Sequence, residues 1–222
     1  TYKEQTNLDV LALAICDQKT VRKQGLQLPN LRIHKIGKAN VELAKQLLVQ
    51  TGIKLVESGN EKAIDVYITD DYLRRELKEV NQRHLKESTS WILMQLNGLE
   101  PMLGPWFRPG QGACMECLRS RLKMNRDLTE FLGSRVKEGY PFPERVEVPG
   151  SSLQITGMLI EQIALAVTKG SSNIDDAILS WNIYQSKATT HTVVKRPQCH
   201  YCGSKEKIHR PEPIILKSAP RR

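Results

Sequence analysis

The chain has 222 residues, 40% hydrophobic and 26% charged, the balance of one globular domain large enough to bury a substantial core. Lysine and arginine number 33 against 24 acids, a formal charge of +9, so a face that gathers the excess would attract nucleic acid, an acidic peptide or a partner domain. No apolar run approaches the roughly 20 residues that span a bilayer, and no charged-then-apolar leader opens the chain, which excludes membrane insertion from the expectation and favours a reducing cytoplasm.

From the N-terminus, residues 8–16 (LDVLALAIC) are almost continuously apolar, the pattern of a strand covered on both faces. They predict the centre of an α/β sheet, with Cys16 as inert core. Asn40 precedes Val41, Leu43, Ala44, Leu47 and Leu48 at helical spacing, with Gly52 just beyond, which predicts a capped helix. Residues 65–69 (DVYIT) read as the next strand. Asp70 or Asp71 is placed to cap a helix running to about His84 with Leu73, Leu77 and Val80 inward. Adjacent carboxylates point apart, so capping is favoured over acid–base work. Residues 91–96 (WILMQL) continue the βα alternation.

Residues 101–112 (PMLGPWFRPGQG) are punctuated by glycine and proline, with Trp106 and Phe107 expected as core anchors rather than a stacking site. Cys114 should open a helix to about Asn125 with Leu118 and Leu122 on one stripe. Residues 139–143 read as a loop or flap. Ser151 or Ser152 should cap a long helix to about Thr168, supplying Leu153, Ile155, Leu159, Ile163 and Val167 to the core. Residues 178–184 and 190–194 read as antiparallel strands. Prolines 211, 213 and 220 predict an extended linker over residues 210–222 that leads to a further domain, so the chain reads as a fragment of a longer protein.

Chemistry concentrates in two pairs, Cys114-Met-Glu-Cys117 and Cys199-His-Tyr-Cys202, which use four of the five cysteines. A two-residue spacer lets both thiolates of a pair face one ion from a tight turn, and two such pairs favour a four-thiolate structural zinc site over disulfides or a redox dithiol. Four protein ligands leave no open position for water, so the site is a staple rather than a catalyst. His200, inside the second pair, reads as an exposed spacer in preference to a ligand. Gly203 fits the tight turn after Cys202. Arg108, Arg119, Arg121, Lys123 and Arg126 flank the first pair, and Lys195, Arg196, Lys205, Lys207 and Arg210 the second.

Other chemistry is missing. After Cys16 the chain reads DQKTVRKQ, with no glycine turn to cradle phosphate, and Gly110-Gln-Gly112 gives only half of a GxGxxG pattern. The histidines make no HExxH and the serines no GxSxG.

Three stretches carry a resemblance: IDVYITDDYL from Ile64, LGPWFRPGQGACMECLRSRL from Leu103 and PQCHYCG from Pro197. Over about residues 8–203 the chain resembles the zinc-bearing, ThiF-like domain of the azoline-forming cyclodehydratases, or heterocyclases, of ribosomal peptide maturation, and most of all the fused cyanobactin type. The resemblance implies a Rossmann-type α/β sheet with flanking helices over residues 1–209, zinc on Cys114, Cys117, Cys199 and Cys202, and a linker at 210–222 towards a YcaO catalytic domain, fused or separate. It implies a scaffold role in ATP-dependent conversion of cysteine, with serine and threonine left open, to thiazoline or oxazoline in a precursor peptide that carries a leader. ATP and magnesium would belong to the YcaO domain alone. No catalytic or cofactor-binding residue is carried over, and homodimerisation is left open. Two alternatives stand beside it: a zinc-ribbon nucleic-acid protein, motivated by the +9 charge, and an adenylating ThiF-like enzyme, which would need the missing phosphate turn.

Overall fold

The computed structural model describes residues 28–57, 62–124 and 149–203. The strand expected at residues 8–16, the turn after it, the loop at 139–143 and the linker at 210–222 lie outside the described residues. Among the described residues, six strands form one sheet in chain order: β1 Asn30–Ile36, β2 Ala63–Thr69, β3 Trp91–Gln95, β4 Met102–Phe107, β5 Ala177–Asn182 and β6 Lys187–Thr192. β1, β2 and β3 are parallel, and β3 to β6 are antiparallel. Among the described residues, four helices flank the sheet: α1 Glu42–Gln50, α2 Glu76–Glu87, α3 Met115–Met124 and α4 Pro149–Lys169.

The pleat sends alternate side chains to opposite faces, and two cores result. Val66, Ile68, Ile92, Met94 and Trp106 point to one face and meet Ala44 and Leu48 of α1 and Ile155, Leu159, Ile160 and Ile163 of α4. Tyr67, Trp91, Leu93 and Phe107 point to the other and meet Leu77 and Val80 of α2, Leu118 of α3 and the cysteines. At about 1.5–3 kcal/mol for each large apolar side chain fully buried, the four α4 residues alone fix that helix firmly on the sheet. No helix among the described residues is long and apolar enough to cross a membrane.

Several expectations are corrected. β1 was not expected: NLRIHKI carries three basic side chains, and Arg32 and His34 are accommodated by Asp65 of β2, at 3.3 and 2.6 Å. The glycine and proline segment is itself a strand, β4, held by the fully buried Tyr72, whose hydroxyl donates to the Gly104 carbonyl at 2.6 Å. Neither Asp70 nor Asp71 caps α2, which starts at Glu76 with Arg75 at its N-cap and no side-chain cap bond. Asp71 instead accepts the Leu73 amide at 2.7 Å in a turn. α4 begins at Pro149, a residue pre-set for a first helical turn. Leu153 and Val167, expected inward, are 42% and 43% exposed. Asn40 does accept the Glu42 amide at 3.1 Å at the entrance to α1.

The chain direction at β1 sets up the place where an open α/β sheet offers a ligand crevice. From β1 the chain passes through α1 to Leu55, which bridges Leu31 on the outer edge of β1, with the Leu31 amide donating to the Lys54 carbonyl at 3.0 Å. It returns on the inner edge as β2. The switch point therefore lies beyond the C-terminal ends of β1 and β2.

Candidate metal centre

The first cysteine pair is set by the end of β4. Arg108 to Gly112 turn the chain, with the Gln111 amide on the Arg108 carbonyl at 3.1 Å. Asn81 of α2, itself buried, accepts the Met115 amide at 3.0 Å and so caps the start of α3. Cys114 stands just before the helix and Cys117 one turn in, which turns both sulfurs to the same side. The second pair follows β6. The Cys199 amide donates to the Arg196 carbonyl at 3.1 Å and the Gly203 amide to the Cys199 carbonyl at 2.8 Å, closing a tight knuckle. A β-carbon at Gly203 would stand 2.5 Å from the Cys199 carbonyl oxygen, so only glycine lets the loop close this far.

Three groups join the pairs, and the sequence did not single them out for this. Asp176, in the left-handed region at φ 53°, accepts the Ala113 amide on its carboxylate at 2.8 Å and the Val193 amide on its carbonyl at 2.7 Å. One residue thus ties the approach to each pair. The Arg196 amide donates to Cys117 Sγ at 3.3 Å, and its guanidinium donates to Ser120 Oγ. Gln82 of α2 donates to the Tyr201 hydroxyl at 3.0 Å. An aspartate before an apolar strand and a glutamine on a polar helix carry no local sign of such long-range roles.

All four sulfurs lie within 4.8 Å of one another. The separations are 3.9 Å for Cys114 and Cys117, 3.6 Å for Cys114 and Cys199, and 3.4 Å for Cys117 and Cys202. These are well beyond the about 2.05 Å of a disulfide bond, and the cysteines are free thiols. They bracket the roughly 3.8 Å edge of a tetrahedron of sulfurs about 2.3 Å from its centre. The cluster could hold a metal ion.

Burial also sets the protonation of the cluster. Burial pushes the Cys114 thiol far up and Cys202 up to about 11. Burial also opposes ionisation of Cys199, but amides of Cys202 and Tyr201 and the neighbouring thiols outweigh it and leave Cys199 at about 7. Thiolate charge on Cys114 and Cys202 at neutral pH needs a cation among the sulfurs. His200 is exposed and outside the cluster, as a spacer. Cys16 and Arg126 lie outside the described residues.

At the switch point the turn after β1 is filled by a carboxylate of the chain. Gly37, at φ 68°, follows β1, and the Lys38 amide after it donates to the Asp70 carboxylate at 2.9 Å. Arg74 clamps the same carboxylate, its Nε at 2.7 Å. A β-carbon at Gly37 would stand 2.5 Å from Asp70 Oδ1. The anion at this turn is the chain's own. Trp106 and Phe107 are buried at 5% and 3% exposure, as core anchors.

No protein-family model and no curated protein matches the sequence. Solved structures do. The heterocyclase TruD matches with a TM-score of 0.69 and 26% identity over 83% of this chain and 28% of its own. A heterocyclase in complex with substrate and cofactor matches with a TM-score of 0.67 and 24% identity over 88% of this chain and 26% of its own. MccB of E. coli with ATP shares the fold, with a TM-score of 0.52 and 14% identity over 83% of this chain and 62% of its own. The chain thus spans little more than a quarter of the length of either heterocyclase. The resemblance drawn from its cysteine blocks extends to most of its folded structure.

Proposed function

We propose that this chain is the scaffold domain of an ATP-dependent peptide heterocyclase, with structural zinc on Cys114, Cys117, Cys199 and Cys202. The observation that carries the reading is the four-sulfur cluster, built on a sheet that matches a heterocyclase over 83% of the chain. The donor set favours zinc: four soft thiols and, among the described residues, no carboxylate or histidine in the cluster. When bound, zinc supplies a cross-link between the end of β4 and the end of β6 and leaves no position for a reacting water. The chain's own residues do the positioning: Asn81 and Asp176 fix the first pair, Arg196 and Gly203 the second.

The reaction belongs to a YcaO catalytic partner. There a cysteine thiol, or a serine or threonine hydroxyl, attacks the preceding amide carbonyl of a precursor peptide. The amide oxygen takes the γ-phosphoryl group of ATP and leaves as phosphate, closing the five-membered azoline with net loss of water. The self-filled switch point supports assigning ATP to the partner, because the turn that would cradle phosphate already holds Asp70. A nucleic-acid role is not favoured, since the cysteine pairs here are 81 residues apart on an α/β sheet rather than on a compact ribbon.

The test is to incubate the chain with a cysteine-containing precursor peptide, ATP and magnesium, with and without a YcaO partner, and weigh the peptide. Loss of one water per ring only with the partner is expected. Equal turnover without the partner would refute the scaffold role.

A further inference from the structure

A hollow of about 890 Å³ lies at the end of the sheet opposite the Gly37 turn, under the starts of β1 to β3, the end of β4 and the last turn of α4. Its volume is that of a ligand site. Ile64 and Val167 give it an apolar wall, and Lys62 and Glu87 place opposite charges on its rim. Trp106 also lines it. The indole N–H of Trp106 is buried and has no hydrogen-bond partner among the described residues, a cost of about 1–3 kcal/mol unless something supplies an acceptor. Arg108 lies over the Trp106 ring at 4.2 Å and is anchored to Asp175 at 2.9 Å. Arg108 also lies six residues before Cys114, so the cysteine clamp steadies this edge of the hollow.

These walls select among ligands. A free phosphate or nucleotide would meet no unopposed cluster of cations, since Arg32 is paired with Asp65 at 3.3 Å, Arg108 with Asp175 at 2.9 Å and Lys62 is opposed by Glu87, and an acyl chain would strand Lys62, Glu87 and the indole N–H. An extended peptide suits all of them: backbone carbonyls accept from the indole, apolar side chains lie on Ile64 and Val167, and either charge finds a partner on the rim. We propose that this hollow is a docking groove for a segment of the precursor peptide. The proposal rests on the heterocyclase reading and gives the scaffold a substrate-holding surface distinct from the four sulfurs and from the switch point.

The experiment is fluorescence anisotropy of overlapping fluorescein-labelled fragments of the precursor peptide used in the water-loss assay, titrated with the full chain. Val167→Trp fills the groove from an exposed helix position, and Lys62→Glu reverses one rim charge. Val49→Trp, on the exposed side of α1, is the control. Val167→Trp is expected to weaken binding of one fragment at least tenfold and Lys62→Glu to change it several-fold, with Val49→Trp unchanged. No binding by the unsubstituted chain, or equal affinity in all of the variants, overturns the groove. The assay contains neither ATP nor catalyst, so a failed groove leaves the water-loss result standing. Normal groove binding without water loss counts against the heterocyclase reading alone.

Discussion

Replacing Cys117 by serine tests the centre at its most enclosed point. The residue is 0% exposed, its sulfur accepts the Arg196 amide at 3.3 Å, and Cys202 Sγ stands 3.4 Å away. Serine keeps the shape but offers a hard, weakly acidic oxygen, a poor match for a site built from soft donors. Structural zinc contributes roughly 10–16 kcal/mol of apparent binding free energy in small peptides. Shared over four sulfurs, that is about 2.5–4 kcal/mol for one ligand, against a domain stability of about 5–15 kcal/mol. For a domain near this size each kcal/mol moves the melting temperature by roughly 2–4 °C, so Cys117→Ser should melt about 5–16 °C below the unsubstituted chain. Elemental analysis of natively purified protein should give one zinc per unsubstituted chain and well under one in the variant, with far-ultraviolet circular dichroism following the melt. A variant that melts within about 1 °C of its parent, or a parent that carries no metal, would show that the sulfurs do not hold the fold together.

Tyr72→Phe deletes the 2.6 Å bond to the Gly104 carbonyl in a fully buried setting and should cost about 1–3 kcal/mol in urea unfolding; a shift under about 0.5 kcal/mol would mean that β4 does not depend on this latch. Gly203→Ala puts a methyl group against the Cys199 carbonyl, so the variant should release zinc to a colorimetric chelator faster while keeping all its thiols; unchanged release kinetics would count against the close packing of the knuckle. Burial pushes the Asp70 carboxyl up, but Arg74 and the Lys38 amide outweigh it and hold it below the usual carboxylate range. A depressed carboxyl contributes stability above its unfolded pKa of about 3.9 and loses it as pH falls through the folded value. Asp70→Asn should therefore lower the melting temperature at neutral pH and flatten the acid limb below about pH 4; an acid limb as steep as the parent's would remove the Arg74 clamp from consideration.

The cysteine pairs were legible because their chemistry is local: each is a two-residue spacing, and only their union required the fold. β2 and β3 were legible because both of their faces are buried, leaving runs such as VYIT and WILM. β5 and β6 were placed to within a few residues by their β-branched content, although β6 is exposed along its whole length. β1 was hidden by the basic side chains that Asp65 later satisfies, a neutralisation that exists only across the register of two strands. β4 was hidden by Gly104 and Pro105, which a strand tolerates here because Tyr72 braces the backbone. The start of α2 was misplaced because Asp70 and Asp71 have the chemistry of a cap but spend it on Arg74, Lys38 and Leu73. Asp176 had no visible signal, since its carboxylate acts on an amide 63 residues earlier in the chain.

With a metal on its four sulfurs, the clamp also sets how the molecule carries load. The pairs lie after β4 and after β6, so together they close a ring that encloses α4, β5 and β6. A tug applied at residue 203 would enter α3 through metal–sulfur bonds and pass to β4, bypassing the β5 and β6 hairpin that would otherwise unzip first. Motion of anything attached beyond that point would reach the middle of the sheet as a stiff push or pull, and stretching in an optical trap should show one abrupt rupture at the clamp before any strand peels.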